Sequence, residues 1–150
     1  METYQKRLEI RWSDLDPNYH LRHSVYYDYG AYCRVSFLNE NGITTASMLE
    51  HNIGPILFRE ECLFKREIKL GDEVTIDLKL DKAFSDLSRW TMIHEIYKTG
   101  NYGNKLSAII TVDGAWIDTT HRKLAKPPEI YKLAFDQIPR TDRFEYAERR

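Results

Sequence analysis

Cysteine is scarce in this 150-residue sequence, with only Cys33 and Cys62. Two isolated cysteines form neither a metal-ligand spacing nor a redox pair, which excludes a disulfide framework and a zinc module. Both read as small buried thiols. Long apolar runs are also lacking: none approaches the roughly 18 residues of a membrane-spanning helix. The start, Met-Glu-Thr-Tyr-Gln-Lys-Arg, has no apolar centre of secretory-leader length. A soluble, cytoplasmic protein is therefore expected. An excess of one charge is missing too, because 22 basic and 23 acidic residues leave a net charge of -1. That balance excludes a broad basic footprint for nucleic acid. No Gly-x-Ser-x-Gly elbow, phosphate-cradling glycine loop, internal repeat or low-complexity tract occurs.

What is present fits one globular domain over residues 1–150. Apolar residues are 42% and charged residues 30%, neither a disordered nor a membrane composition. A chain of this length buries about two-thirds of its extended surface. Leu8, Ile10 and Trp12 alternate with Arg7, Glu9 and Arg11, predicting a strand over residues 4–12. Asp16-Pro17-Asn18 is turn chemistry. Ser24 is a candidate N-cap for a helix over residues 25–39. Tyr26, Gly30, Cys33 and Phe37 share one stripe of that helix, widened by Val25, Tyr29 and Tyr32. Gly30 lowers helix propensity by about 1 kcal/mol against Ala, which points to close approach onto a flat layer. Gly42 offers a left-handed position to end it, and a second short helix follows over residues 45–51, capped by Thr44 or Thr45.

The second half reads as strands over residues 56–68, 74–81, 87–97 and 105–118. Turns fall at Leu70-Gly71-Asp72, at Ser85-Asp86 and across residues 99–104. Gly114 marks a bulge or a close packing point. Residues 119–126 form a polar connector, and Pro127-Pro128 opens a short helix. Residues 139–150 read as a charged tail that frays. One antiparallel layer covered by one long helix is an α+β architecture.

The chemistry concentrates in residues 14–24, Asp-Leu-Asp-Pro-Asn-Tyr-His-Leu-Arg-His-Ser. Asp16 is a candidate nucleophile or general base on water. The free N–H groups of the helix's first turn can polarise a carbonyl and stabilise the oxyanion formed on attack. The bland reading of Asp16 is an Asx-type turn, with His20 and His23 capping, packing or pairing with Asp14. A metal site needs three or four convergent ligands. The two Asp and two His match no usual spacing, so neither metal nor cofactor is expected. His94 reads as an interior or interface histidine. Adjacent Glu60 and Glu61 point to opposite faces of a strand. Lys65, Arg66, Arg89, Arg122 and Lys123 are ordinary charges singly, and together can meet a phosphorylated carrier.

Residues 4–138 resemble the hotdog-fold acyl-CoA thioesterases, in their 4-hydroxybenzoyl-CoA thioesterase-like branch. The likeness rests on Arg11-Trp12-Ser13-Asp14-Leu15-Asp16, on His20-Leu21-Arg22-His23-Ser24-Val25-Tyr26-Tyr27, and on Lys69-Leu70-Gly71-Asp72-Glu73-Val74. It implies a single hotdog domain whose long central helix is wrapped by an antiparallel sheet. It further implies homodimers, often paired as homotetramers, with sites at the dimer interface. Asp16 matches the second aspartate of the family motif, the one implicated in catalysis. The backbone N–H that grips the thioester carbonyl maps to His23, and His20 takes a supporting, orienting role. The expected reaction converts an acyl-CoA to a carboxylic acid and free coenzyme A, the coenzyme being part of the substrate. Tyr26, Phe58, Arg66, Arg89 and Trp90 are the substrate-binding candidates, with Tyr29 and Leu57 as further pocket or interface residues. The sequence departs from the family pattern at Arg22-His23, where an Asn-Asn pair is common, and at Tyr19, usually small or glycine. Alternatives are a thioesterase acting on acyl carrier protein and a non-hydrolytic acyl-CoA binding domain.

Overall fold

The computed structural model describes residues 3–100 and 103–148. β-branched and aromatic runs build one eight-stranded sheet. Its elements in chain order are β1 (Gln5–Leu8), α1 (Val25–Glu40), α2 (Thr45–His51), β2 (Ile53–Phe64), β3 (Glu73–Asp77), β4 (Lys79–Phe84), β5 (Arg89–Gly100), β6 (Gly103–Asp118), β7 (Lys123–Leu124), α3 (Glu129–Phe135) and β8 (Arg140–Ala147). The long strand β6 pairs with β2 on one side and β5 on the other. The far edge of β5 carries β3 at one end and β4 at the other. β1 flanks β3, and β8 flanks β4 in parallel, the one parallel pairing among the described strands. This is the α+β hotdog arrangement.

The 16-residue helix α1 lies against β1, β2, β3 and β6. Its buried stripe contains Val25, Tyr26, Tyr29, Gly30, Cys33 and Phe37, the face expected from the spacing except that Tyr32, one step round the helix, is exposed. A Cβ on Gly30 would stand 3.1 Å from Arg34 and 3.4 Å from His94, so the helix does approach the sheet closely there. Cys33 is buried as expected, whereas Cys62 is only half-buried, and both are unpaired; burial pushes the Cys33 thiol up to about 12 and the Cys62 thiol up to about 11. Neither is a reactive thiolate near neutral pH. No helix among the described residues is long and apolar enough to cross a membrane.

Several expectations need correction. The first strand stops at Leu8, because the Asp14 carboxylate captures the Arg11 N–H at 3.0 Å and turns Trp12–Asp14 into a short 3₁₀ helix. Trp12 consequently lies 69% exposed. The alternating run 74–81 is two strands: Leu78 donates to the carbonyl of Tyr4, and the chain passes from the β1 flank to the β8 flank. The strand expected over residues 56–68 starts at Ile53 and ends at Phe64. The polar connector contains β7. The charged tail is largely ordered as β8, since Thr141 and Arg143 both donate to Asp81, at 2.7 and 2.9 Å. Arg140 also stacks on Phe144. The turn expected across residues 99–104 falls partly outside the described residues.

Candidate active site

The loop between β1 and α1 is built on Asp14. Its carboxylate is 2% exposed and accepts from the Arg11 guanidinium at 2.8 and 3.1 Å and from the Tyr29 hydroxyl at 3.4 Å. The Arg11 hydrogen bonds outweigh burial and hold the Asp14 carboxyl below the usual carboxylate range. Burial and the neighbouring carboxylate push the Tyr29 hydroxyl up. Arg22 ties the other end of the loop. Its N–H donates to the Asp14 carbonyl, and its side chain donates to the Ser13 carbonyl and the Ser24 hydroxyl. Asp14 and Arg22 thus act as structural clamps.

Asp16 sits at the tip. Its Oδ1 accepts from the N–H groups of Asn18 at 2.8 Å and His20 at 3.1 Å. The Asx-type turn is therefore real, but it uses one carboxylate oxygen. Oδ2 has no hydrogen-bond partner among the described residues. Tyr19 completes the turn with φ +65°, a left-handed conformation that costs an L-residue roughly 1–2 kcal/mol. A glycine would adopt this conformation without that cost. The Tyr19 ring leans outward towards Trp12, at 6.3 Å between centroids.

Asp16 opens into a cleft of about 290 Å³ lined also by His20, His23, Tyr26, Phe64 and Arg66. The His20 imidazole faces Glu67 at 3.2 Å, and its link to Asp16 runs through its backbone. His23 is exposed at the start of α1. Ser24 occupies the N-cap position without a side-chain cap, because its hydroxyl accepts from Arg22. The N–H groups of His23 and Ser24 have no partner among the described residues, and His23 lines the cleft. Tyr26 forms an edge-on contact with Phe64, 4.9 Å between centroids, and burial pushes its hydroxyl up to about 12. Arg66 donates to the carbonyl of Leu106 at the rim.

Within the chain, the other three candidates lie elsewhere. The Arg89 guanidinium covers the Phe58 ring at 4.7 Å. Phe58 and Phe64 are both on β2, about 20 Å apart along the strand. Trp90 lines a separate cavity under α1. Among the described residues, no group of three His, Cys, Asp or Glu is placed to hold a metal ion.

Two residues of interest were not among the candidates. Glu67, the partner of His20, carries no distinctive spacing. Arg34 had a readable signal, because it stands four residues after Gly30 and three before Phe37, on the buried stripe of α1. Its guanidinium donates to His94 Nε2 at 3.0 Å, so that nitrogen carries no proton, and Nδ1 donates to the Asp77 carbonyl at 2.8 Å. His94 is fully buried, and burial first, then Arg34, pushes its pKa down to about 3. The folded chain therefore refuses a proton that the unfolded chain accepts near the ordinary histidine value of about 6.5. His94 favours folding fully above that value, and its contribution falls as pH drops towards 3, by up to about 1.4 kcal/mol per pH unit. Denaturant titrations at stepped pH should show a shallower acid loss in His94→Gln than in the parent. Parallel curves would contradict this role.

A family model described as the thioesterase-like superfamily matches residues 10–135. Among curated proteins no sequence matches significantly. A 1,4-dihydroxy-2-naphthoyl-CoA thioesterase from Synechocystis is 16% identical, with TM-score 0.79 over 90% of this chain and 96% of that one. A Staphylococcus aureus protein solved in complex with CoA is 17% identical, with TM-score 0.81 over 93% and 88%. A gentisyl-coenzyme A thioesterase is 19% identical, with TM-score 0.73 over 89% and 100%. At these identities the structures establish a shared fold.

Proposed function

Because the chain belongs to the thioesterase-like superfamily, we propose that it hydrolyses acyl-CoA thioesters with Asp16 as the catalytic carboxylate. The observation that carries this reading is a carboxylate with one oxygen fixed by two backbone N–H groups and the other without a hydrogen-bond partner among the described residues, in a cleft that His23 at the start of α1 also lines. The thioester carbonyl sits against the N–H groups of His23 and Ser24, which stabilise the developing oxyanion. Asp16 Oδ2 either attacks the carbonyl carbon, forming a mixed anhydride that water opens, or takes a proton from the attacking water. Coenzyme A leaves as the thiolate and gains a proton. Lys65 and Arg66 at the rim suit the phosphates of coenzyme A.

A homodimer fits the exposed edge of β2. This 12-residue strand pairs with β6 alone among the described strands, and it exposes Leu57, Phe58, Leu63 and Phe64. A long apolar edge calls for cover, and a second copy supplies it with two-fold symmetry. Sedimentation should return at least twice the 17.8 kDa chain mass. A monomer at every concentration would contradict this. The unpaired thiols suit a reducing compartment such as the cytoplasm. The activity is tested by thiol release from short, long and aromatic acyl-CoA substrates. Release is expected from at least one class, and none from folded protein would defeat the reading.

A further inference from the structure

Asp16 also lines a second cleft, of about 360 Å³, whose other walls are Trp12, Leu15, Pro17 and Tyr19. Trp12 is 69% exposed and Tyr19 is 66% exposed. Their ring planes meet at 46°, with centroids 6.3 Å apart. The rings are neither stacked nor edge-on, and at this exposure each keeps an open face. Presenting the Tyr19 ring takes φ +65°, a strained backbone of the kind that clusters at ligand clamps.

The two clefts that meet at Asp16 differ in charge. Lys65 and Arg66 line the first, whereas the Asp16 carboxylate is the one charged group lining the second. A phosphate therefore suits the first and a cation the second. Aromatic faces attract cations through the ring quadrupole, the Trp face most strongly. The kind of cation follows from Asp16 itself. Its Oδ1 is taken by the N–H groups of Asn18 and His20, and its Oδ2 must stay open to react. A primary ammonium donates hydrogen bonds and would occupy Oδ2. A quaternary ammonium has no N–H, so it gains from the rings and from the carboxylate's field while leaving the Oδ2 lone pairs available.

We propose that the Trp12–Tyr19 cleft takes a quaternary ammonium group at the end of a short acyl chain, so that the preferred substrate is a trimethylammonio-acyl-CoA. The inference rests on the acyl-CoA reading above. The thioester carbon sits at Asp16, where the clefts meet. The sulfur arm runs towards Lys65 and Arg66, and the acyl arm enters the aromatic cleft. The chain is short because Asp16 and both rings line one cleft. The reaction is the same hydrolysis: the C–S bond breaks, water supplies the new oxygen of the acid, and coenzyme A leaves and gains a proton.

The test compares kcat/KM for trimethylammonioacetyl-CoA and for its neutral isostere, 3,3-dimethylbutyryl-CoA, each divided by its uncatalysed rate of hydrolysis. The parent should favour the cation by about 10-fold or more, and Trp12→Leu should cut that preference by about 5-fold. No preference in the parent, or one that survives in Trp12→Leu, would overturn the proposal. An unchanged preference together with loss of the dimer in Trp12→Leu overturns it too, and assigns the rings to a second copy of the chain. Should Trp12→Leu not fold, Tyr19→Gly removes the other ring and takes up the left-handed conformation without strain; a reduced preference supports the proposal, and an unchanged one overturns it. If no acyl-CoA is cleaved, the hydrolase reading fails, and the cleft is tested alone by titrating the protein with choline and with its neutral isostere 3,3-dimethylbutan-1-ol, read at the Trp12 indole N–H by NMR. A shift with choline alone supports the cation site; equal shifts, or none, overturn it.

Discussion

Asp16→Asn should lower kcat by at least ~100-fold while leaving the melting temperature close to that of the parent. The asparagine keeps Oδ1, so the hydrogen bonds from Asn18 and His20 survive and the turn holds its shape. What disappears is the charge and nucleophilicity of Oδ2. Loss of a group that acts in the transition state appears in kcat, with KM much less affected. Asp16→Ala should differ, because it also removes the acceptor for both N–H groups and so loosens the loop. Steady-state thiol release paired with thermal melts separates the two effects. An Asp16→Asn protein that melts normally and turns over normally would leave Asp16 with the turn alone.

The largest expected effect on stability comes from Gly114→Ala. Gly114 lies in the C-terminal half of β6, paired on one side with β2 and on the other with β5. An added Cβ would stand 2.3 Å from the Trp90 ring and 2.7 Å from the carbonyl oxygen of Ile56. The ring belongs to a buried residue and the oxygen to a paired strand, so neither yields freely. Overpacking of this kind costs about 1–3 kcal/mol and occasionally more, and the backbone contact places this case at the upper end. For a chain of this size that lowers Tm by on the order of 6–10 °C. Calorimetry checks it, and a Tm within about 2 °C of the parent would show that the sheet absorbs the methyl group.

The parts of the fold legible from the sequence were those written in local periodicity. The stripe Tyr26, Gly30, Cys33 and Phe37 placed α1 and is buried as expected, although Tyr32, read on the same face, is exposed. Glycine at positions 30 and 114 correctly marked close approach. The misreadings have one physical origin: long-range partners override local pattern. The run through Leu78 alternates like a single strand, but Tyr4 and the β8 flank divide it. Residues 139–150 look solvated because of their charges, yet Asp81 waits across the sheet to pair with Arg143. At the site, Asp16, His20, His23, Tyr26 and Arg66 converge on one cleft, whereas Phe58, Arg89 and Trp90 do not join them within the chain. Those three were chosen by side-chain type and strand parity, which fix the face of a sheet but not the distance along it. Arg34 hid for the opposite reason, as a charge on a stripe read for its apolar members.

The central claim is Asp16-dependent hydrolysis of acyl-CoA, and the most direct measurement is thiol release by the parent and Asp16→Asn proteins at saturating acyl-CoA, side by side. Rapid release by the parent, at least ~100-fold slower in the variant, is the predicted result. Equal release by two equally folded proteins would contradict it.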